Sequence, residues 1–202
     1  MPAHPREVEI KFFLDNPAEL KRKLRAAGFR LVTPRTHEMN TLYDFAAQPL
    51  RQRGELLRIR KYGKTWKLTH KSKGKVGRHK SRVEIETGVE DGARLAAIFS
   101  ALGLQPMFSY EKFRAEWSDG SGHVVIDETP IGNFAEIEGP PRWIEKTART
   151  LGIERNKYIT ANYASLFELW KRKSGSSAKN MTFREAGKKH SAFSAQHSAP
   201  KR

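Results

Sequence analysis

Glu7-Val8-Glu9-Ile10-Lys11-Phe12-Phe13-Leu14 is the stretch from which the fold is read. Successive side chains of a strand point to opposite faces. Glu7, Glu9 and Lys11 therefore share one face, and Val8, Ile10 and Phe12 share the other. The same two-residue period recurs at 56–62, 65–71, 82–89, 112–117, 123–129 and 134–138. Thr41, Leu42, Tyr43 and Phe45 imply an eighth strand at about 37–45. Turn residues fill the gaps: Tyr62-Gly63-Lys64, Asp119-Gly120-Ser121-Gly122 and Thr129-Pro130-Ile131-Gly132-Asn133.

Each later strand repeats the division of the first. Arg58 and Arg60 oppose Leu57 and Ile59; Lys67 and Lys71 oppose Trp66 and Leu68. Arg82, Glu84 and Glu86 oppose Val83 and Ile85. Lys112, Arg114 and Glu116 oppose Phe113 and Trp117, Asp127 opposes Val124 and Ile126, and Glu136 and Glu138 oppose Ala135 and Ile137. A solvated sheet face accounts for any one of these strands. It does not account for charges segregated into Glu-x-Glu, Arg-x-Arg and Lys-x-Arg pairs, with little Ser, Thr or Gln among them.

Four helices are expected. Asn16 caps one through Leu20, Leu24 and Ala27, with Pro17 in its first turn and Gly28 as its stop. Asp91 caps a second through Leu95, Ile98, Phe99 and Leu102. A third runs over about 142–151 and stops at Gly152. A fourth follows Lys157 with Ile159, Tyr163, Leu166, Phe167 and Trp170. Amphipathic helices need an apolar surface to lie on. If the apolar strand faces point outward, the helices cover them and the charged faces line an interior. The predicted class is α+β, a closed eight-stranded antiparallel barrel with helices packed outside and room for a small ligand.

A barrel lined with charges requires partners, ions or water inside it. Lys11, Arg58, Arg60, Lys67, Lys112 and Arg114 suit a chain of phosphates. Glu7, Glu9, Glu84, Glu86, Asp127, Glu136 and Glu138 suit a hard divalent cation that takes oxygen ligands. Both sets in one tunnel make a metal–polyphosphate site.

With those residues in place, the sequence resembles the CYTH domain, or triphosphate tunnel metalloenzyme, family. Glu7-Val8-Glu9-Ile10-Lys11 fits its N-terminal Glu-x-Glu-x-Lys signature. Leu57-Arg58-Ile59-Arg60, Lys67-Leu68-Thr69-His70-Lys71, Val83-Glu84-Ile85-Glu86, Lys112-Phe113-Arg114, Val125-Ile126-Asp127 and Glu136-Ile137-Glu138-Gly139 follow in the family's order over about residues 5–170, with a late Tyr163-Ala164-Ser165-Leu166. The resemblance implies an enzyme acting on ATP, thiamine triphosphate or tripolyphosphate with Mg²⁺ or Mn²⁺, as a triphosphatase or a class IV adenylyl cyclase. It implies that Glu7, Glu9, Glu136 and Glu138 hold metal with help from Asp127 and Glu84 or Glu86. Lys11, Arg58, Arg60, Lys67 and Arg114 would grip the triphosphate with Lys112 near them, and Lys157 would be a late lysine seen in some members. Glu7, Glu9, Lys11 and Lys67 are the expected catalytic set. Asn40-Thr41-Leu42-Tyr43-Asp44-Phe45 departs from the family pattern by carrying Phe45 where Thr is usual.

Composition bounds the rest. The chain has 202 residues, 38 Lys+Arg against 22 Asp+Glu, and no Cys. Disulfides, thiolate nucleophiles and Cys-based metal sites are excluded. No run approaches the roughly 18 apolar residues of a membrane span, and no apolar signal segment follows the first residues, so a cytoplasmic protein, monomer or homodimer, is the expectation. The net charge of +16 divides evenly. From Lys171 onward nine basic residues face one acid, a net +8, and residues 1–170 carry the other +8. Residues 1–173 are taken as the domain and 174–202 as a disordered basic tail that touches nucleic acid weakly at most. Gly63-Lys64-Thr65 lacks the glycine spacing and the following helix of a P-loop. His37, His70 and His79 show no zinc spacing, and Trp66, Trp117, Trp143 and Trp170 are read as packing residues. The competing class is a non-catalytic module for nucleic acid or another polyanion. The acidic pairs count against it, since carboxylates repel phosphates unless a metal bridges them.

Overall fold

A computed structural model of the chain describes residues 6–76 and 79–186. Eight antiparallel strands close a barrel. In chain order they are β1 (Arg6–Phe13), β2 (Arg30–Phe45), β3 (Leu56–Tyr62), β4 (Thr65–Lys71), β6 (Lys80–Val89), β7 (Leu104–Ser118), β8 (His123–Thr129) and β9 (Gly132–Glu138), with a two-residue β5 (Lys75–Val76) laid on β6. The ring runs β1-β9-β8-β7-β2-β3-β4-β6 and closes where Arg6–Glu9 pair with Lys80–Val83. β2 and β7 exceed their sequence signals. They carry Pro34 and Pro106 and register shifts at Leu31/Thr33, Thr33/Thr36 and Leu42/Tyr43, which break the strict alternation that reveals a strand. Gly63, at φ 57°, and Lys64 form the two-residue hairpin between β3 and β4, which removes the P-loop reading.

The apolar strand faces point outward. Helices α1 (Pro17–Ala26) and α4 (Pro141–Leu151) bury Leu20, Leu24, Ile144, Ala148 and Leu151 against Ile10, Phe12, Trp117, Val124, Ile126 and Ile137. Asn16 Oδ1 accepts from the amides of Ala18 and Glu19, as its capping role requires. Helix α3 (Gly92–Ala101), capped by Asp91, lays Leu95, Ala96 and Phe99 over Ile59, Trp66, Leu68 and Leu104. The approach is tight enough that a Cβ on Gly92 would meet the Trp66 ring at 2.2 Å. A short α2 (Pro49–Gln52), without an apolar period to announce it, is capped by Asp44, which accepts from Leu50 and Arg51 amides.

Helix α5 (Tyr163–Ser174) behaves differently. Its Tyr163, Phe167 and Trp170 pack with Tyr110 and Phe134, which share strand faces with Lys112 and Glu136, so α5 closes one end of the barrel. The expected disorder from Ser174 meets an ordered segment instead. Met181 is fully buried in the α5 cluster, and its amide and carbonyl bond Ser109 and Glu111 of β7. The short α6 (Phe183–Ala186) follows. Asn180 and Phe183 are held by Ser109 and Glu111. The rest of the basic tail, 187–202, lies outside the described residues. No described helix is long and apolar enough to cross a membrane.

Candidate active site

The inward face of the barrel holds the charges. One cavity of about 110 Å³ is lined by eight cations from five strands: Lys11 on β1, Arg58 and Arg60 on β3, Lys71 on β4, Lys80 and Arg82 on β6, Lys112 and Arg114 on β7. Its carboxylates are Glu7, Glu9 and Glu136. A second, wider cavity of about 440 Å³ shares Glu7, Arg60 and Arg114 with the first and adds Glu84, Glu86, Glu116 and Glu138. The space thus passes from an acidic end into a basic middle.

The middle is fixed by a buried network. Asp127, with no exposed surface, accepts from Lys112 Nζ at 2.8 Å, from Arg114 at 2.7 and 2.6 Å, and from the Tyr163 hydroxyl at 2.6 Å. Glu136 takes the same Arg114 fork at 2.6 Å and Lys11 Nζ at 3.0 Å. Burial alone would neutralise these groups. The fields win: burial opposes it, yet Lys11 and then Arg114 hold Glu136 well below the usual carboxylate range. Burial likewise opposes, and Asp127 and Glu136 outweigh, so Arg114 sits well above the usual guanidinium value. Burial and then the Asp127 charge push the Tyr163 hydroxyl well up, so it keeps the proton it donates. Asp127 and Glu136 are therefore occupied with cations, and Asp127 lines neither cavity. Both are expected among the metal ligands; here they hold the Arg114 fork, and Glu136 also lines the basic cavity.

The acidic end is organised otherwise. Lys71 pairs with Glu7 at 3.1 Å and with Glu84, and Lys80 pairs with Glu9 at 2.8 Å. These ammonium groups stand among the carboxylates, and among the described residues no three carboxylate or histidine side chains converge on one point. Burial and then a hydrogen bond with Glu84 raise the Glu7 carboxyl, whereas that bond and Lys71 lower Glu84 although burial opposes them. Glu138 has no cation of its own among the described residues. Burial first, then the charges of Glu7, Glu136 and Glu9, push it up to about 8.

The remaining expected residues sit at the edges or elsewhere. Lys67 is 42% exposed and bonded to Glu86 at 2.7 Å on the outer lip. Lys157, in a 3-10 turn at Arg155–Lys157, is exposed and lines neither cavity. Sequence reasoning left Lys71, Lys80, Arg82, Glu38, Tyr110 and Tyr163 out of the site. Lys71 and Arg82 continue the inward period of Lys67 and Glu84. Glu38, fully buried beside Asn40, lies where the β2 alternation is weakest. Tyr163 stands in the late motif Tyr163-Ala164-Ser165-Leu166 but carries no site role in the sequence reading, because α5 reaches the barrel only through the tertiary fold. His37, His70 and His79 lie 2.8, 3.7 and 3.0 Å from carboxylate oxygens of Glu111, Glu55 and Glu145.

A CYTH domain family model matches residues 5–163. The chain belongs to the CYTH family. A Methanocaldococcus jannaschii protein named "Putative adenylate cyclase" is 28% identical to this CYTH chain over 133 residues, 65% of this chain and 75% of that protein. A Vibrio parahaemolyticus protein of the same name superposes with a TM-score of 0.73 at 17% identity, covering 82% of this chain and 99% of that one. A Hippeastrum protein described as having a dominant triphosphatase activity superposes at 0.62 with 20% identity, covering 81% and 95%. These two likenesses establish the barrel fold, and the family match covers all eight of its strands.

Proposed function

We propose that this CYTH chain is a divalent-cation-dependent enzyme that hydrolyses a phosphoanhydride bond of a triphosphate-containing small molecule held in the tunnel. The activities named among its relatives, adenylate cyclase and triphosphatase, both act on a triphosphate. One observation carries the reading: a basic cavity opens into an end lined by carboxylates, where burial first and then the charges of Glu7, Glu136 and Glu9 raise Glu138 to about 8. The donors there are all carboxylate oxygens, which fits Mg²⁺ or Mn²⁺. Glu7, Glu9 and Glu138, with Glu84 and Glu86 near them, would hold it. When bound, such an ion neutralises phosphate charge and lowers the pKa of attacking water.

The chain's own residues do the rest. Arg58, Arg60, Lys112 and Arg114 bind the phosphate oxygens. Asp127 and Glu136 hold the Arg114 fork in place beforehand, so little reorganisation accompanies the reaction. Lys71 and Lys80, paired with Glu7, Glu84 and Glu9, line the same cavity and would add their charge to the phosphate-binding set. Glu138, whose carboxyl is raised to about 8, must give up its proton to take part in holding the cation.

The test is incubation with ATP, thiamine triphosphate and tripolyphosphate, with Mg²⁺ or Mn²⁺ and with chelator, resolving phosphate from cyclic AMP. Metal-dependent phosphate release is expected, lost in Glu9→Gln and Glu138→Gln proteins that keep their circular dichroism. Unchanged activity in both variants would sink the assignment. Cyclic AMP with pyrophosphate would replace water by a ribose hydroxyl as nucleophile. No turnover, together with salt-sensitive nucleic-acid binding, would identify a binding module instead.

A further inference from the structure

Tyr163 opens helix α5, and its ring enters the basic cavity from outside the strands. Lys11 Nζ lies 4.2 Å from the centre of that ring and Lys112 Nζ 4.9 Å. Both fall within the roughly 6 Å over which a cation is drawn to an aromatic face. Both lysines are buried, at 4% and 3% exposure. The chain entering α5 is tied to the same point of β1, because the Ile159 amide donates to the Lys11 carbonyl at 2.7 Å. The ring is itself held in place. It stacks on Tyr110 at 5.9 Å and meets the Phe134 ring edge-on at 5.5 Å. Its hydroxyl reaches Asp127 at 2.6 Å.

Each ammonium group already has a carboxylate: Glu136 lies 3.0 Å from Lys11 and Asp127 2.8 Å from Lys112. A further carboxylate would steady the lysines and cancel their charge. An aromatic ring steadies them through its quadrupole and carries no net charge, so their attraction for phosphate oxygens survives. We propose that the Tyr163 ring is a positioning group for the reaction, seating Lys11 and Lys112 so that both ammonium groups meet the phosphate chain in fixed places. The proposal rests on the reading of the tunnel as a triphosphate site. Cations placed before the reaction stabilise its developing charge more than cations that must swing into position. The hydroxyl is secondary, since Asp127 keeps Lys112 and Arg114 without it. Tyr163 therefore acts through the two lysines.

The test replaces Tyr163 in the full chain by phenylalanine carrying no, one, two or three ring fluorines. The shape stays nearly constant while the negative ring face weakens stepwise. With Mg²⁺ and tripolyphosphate or ATP, kcat/KM should fall at each step, by roughly tenfold over the series and mostly through kcat. A residue that only packs would give a flat series. Tyr163→Phe should stay within about threefold of wild type, and Tyr163→Leu should lose at least about tenfold. Should Tyr163→Leu fail to fold, the fluorine series decides alone. A flat series, a fully active Tyr163→Leu, or a Tyr163→Phe loss equal to that of Tyr163→Leu overturns the ring as the seat of the lysines while leaving the tunnel reading standing. No turnover of either substrate by wild type overturns both.

Discussion

Glu138 shows how one side chain can trade stability for chemistry. Its ordinary carboxyl value of 4.5 is raised to about 8 in the fold, by burial and by the charges of Glu7, Glu136 and Glu9. Between those values the folded state holds a proton that the unfolded state has lost, so stability falls as pH climbs through the window and is lowest above about 8. Glu138→Gln removes that dependence. Without metal, the variant should melt above wild type at pH 9 by on the order of 2 kcal/mol, roughly 4–8 °C, and the difference should shrink at pH 5. Added Mg²⁺ should stabilise wild type more than the variant. Equal melting at pH 9 without metal would show that Glu138 is not strained by its neighbours. Glu38 presents the opposite case. It is fully buried, and although burial opposes it, Lys112, Arg60, Arg114 and Arg58 hold it well below the usual range. Lys112 is 3.5 Å away and Arg60 3.9 Å, while Glu38 Oε2 and Asn40 Oδ1 have no hydrogen-bond partner among the described residues. Glu38→Gln keeps the shape and removes the countercharge of two tunnel cations. A lower urea midpoint, by roughly 2–3 kcal/mol in stability, should accompany tighter binding of tripolyphosphate; looser binding would mean that Glu38 orients those cations rather than merely balancing them.

At the scale of elements, the strands were legible because the barrel is inverted. Period two exposes a strand most clearly when one face is uniformly apolar and the other uniformly charged, as in Glu7-Val8-Glu9-Ile10-Lys11 and Glu136-Ile137-Glu138. The Asn16 and Asp91 caps were legible for the same local reason. The C-terminal latch was not. Residues 175–186 have no apolar period and mostly small or polar side chains, and their order comes from contacts remote in sequence: Met181 with Ser109 and Glu111, Asn180 with Ser109, Phe183 with Phe113. This latch also lies beyond the residues matched by the family model. It holds β7 from outside, on the strand that carries Tyr110, Lys112 and Arg114 inside. Met181→Ala should cost about 2–4 kcal/mol, lowering the melting temperature by roughly 4–16 °C. Removal of residues 175–202 should cost at least as much; a chain ending at Ser174 that melts like the full one would show that the latch adds nothing to the barrel.

Across the whole molecule, the +16 charge resolves into a surface contribution and a concentrated internal one. The basic cavity gathers eight cations, and Glu7, Glu9 and Glu136 in its wall, with Asp127 and Glu38 buried behind it, offset them. The offset goes so far that, although burial opposes it, Lys11, Arg58 and Arg114 hold their protons more tightly than usual. An anion that enters the tunnel meets donors already assembled by the closed ring of strands, and binds only the folded state. Tripolyphosphate at about 100 times its dissociation constant should therefore add roughly 2.7 kcal/mol, a rise in melting temperature of roughly 5–11 °C. The screening length at about 0.15 M salt is roughly 8 Å, and buried groups are screened less than exposed ones. Raising sodium chloride should thus erode the shift only partly, whereas binding to the exposed basic surface would be erased. Arg58→Ala and Arg114→Ala, which remove cations inside the barrel, should reduce the shift; Arg22→Ala, on the outer face of α1, should leave it unchanged. A shift that vanishes at 0.3 M sodium chloride, or that Arg22→Ala reduces as much as Arg58→Ala does, would place the anion on the outside of the molecule.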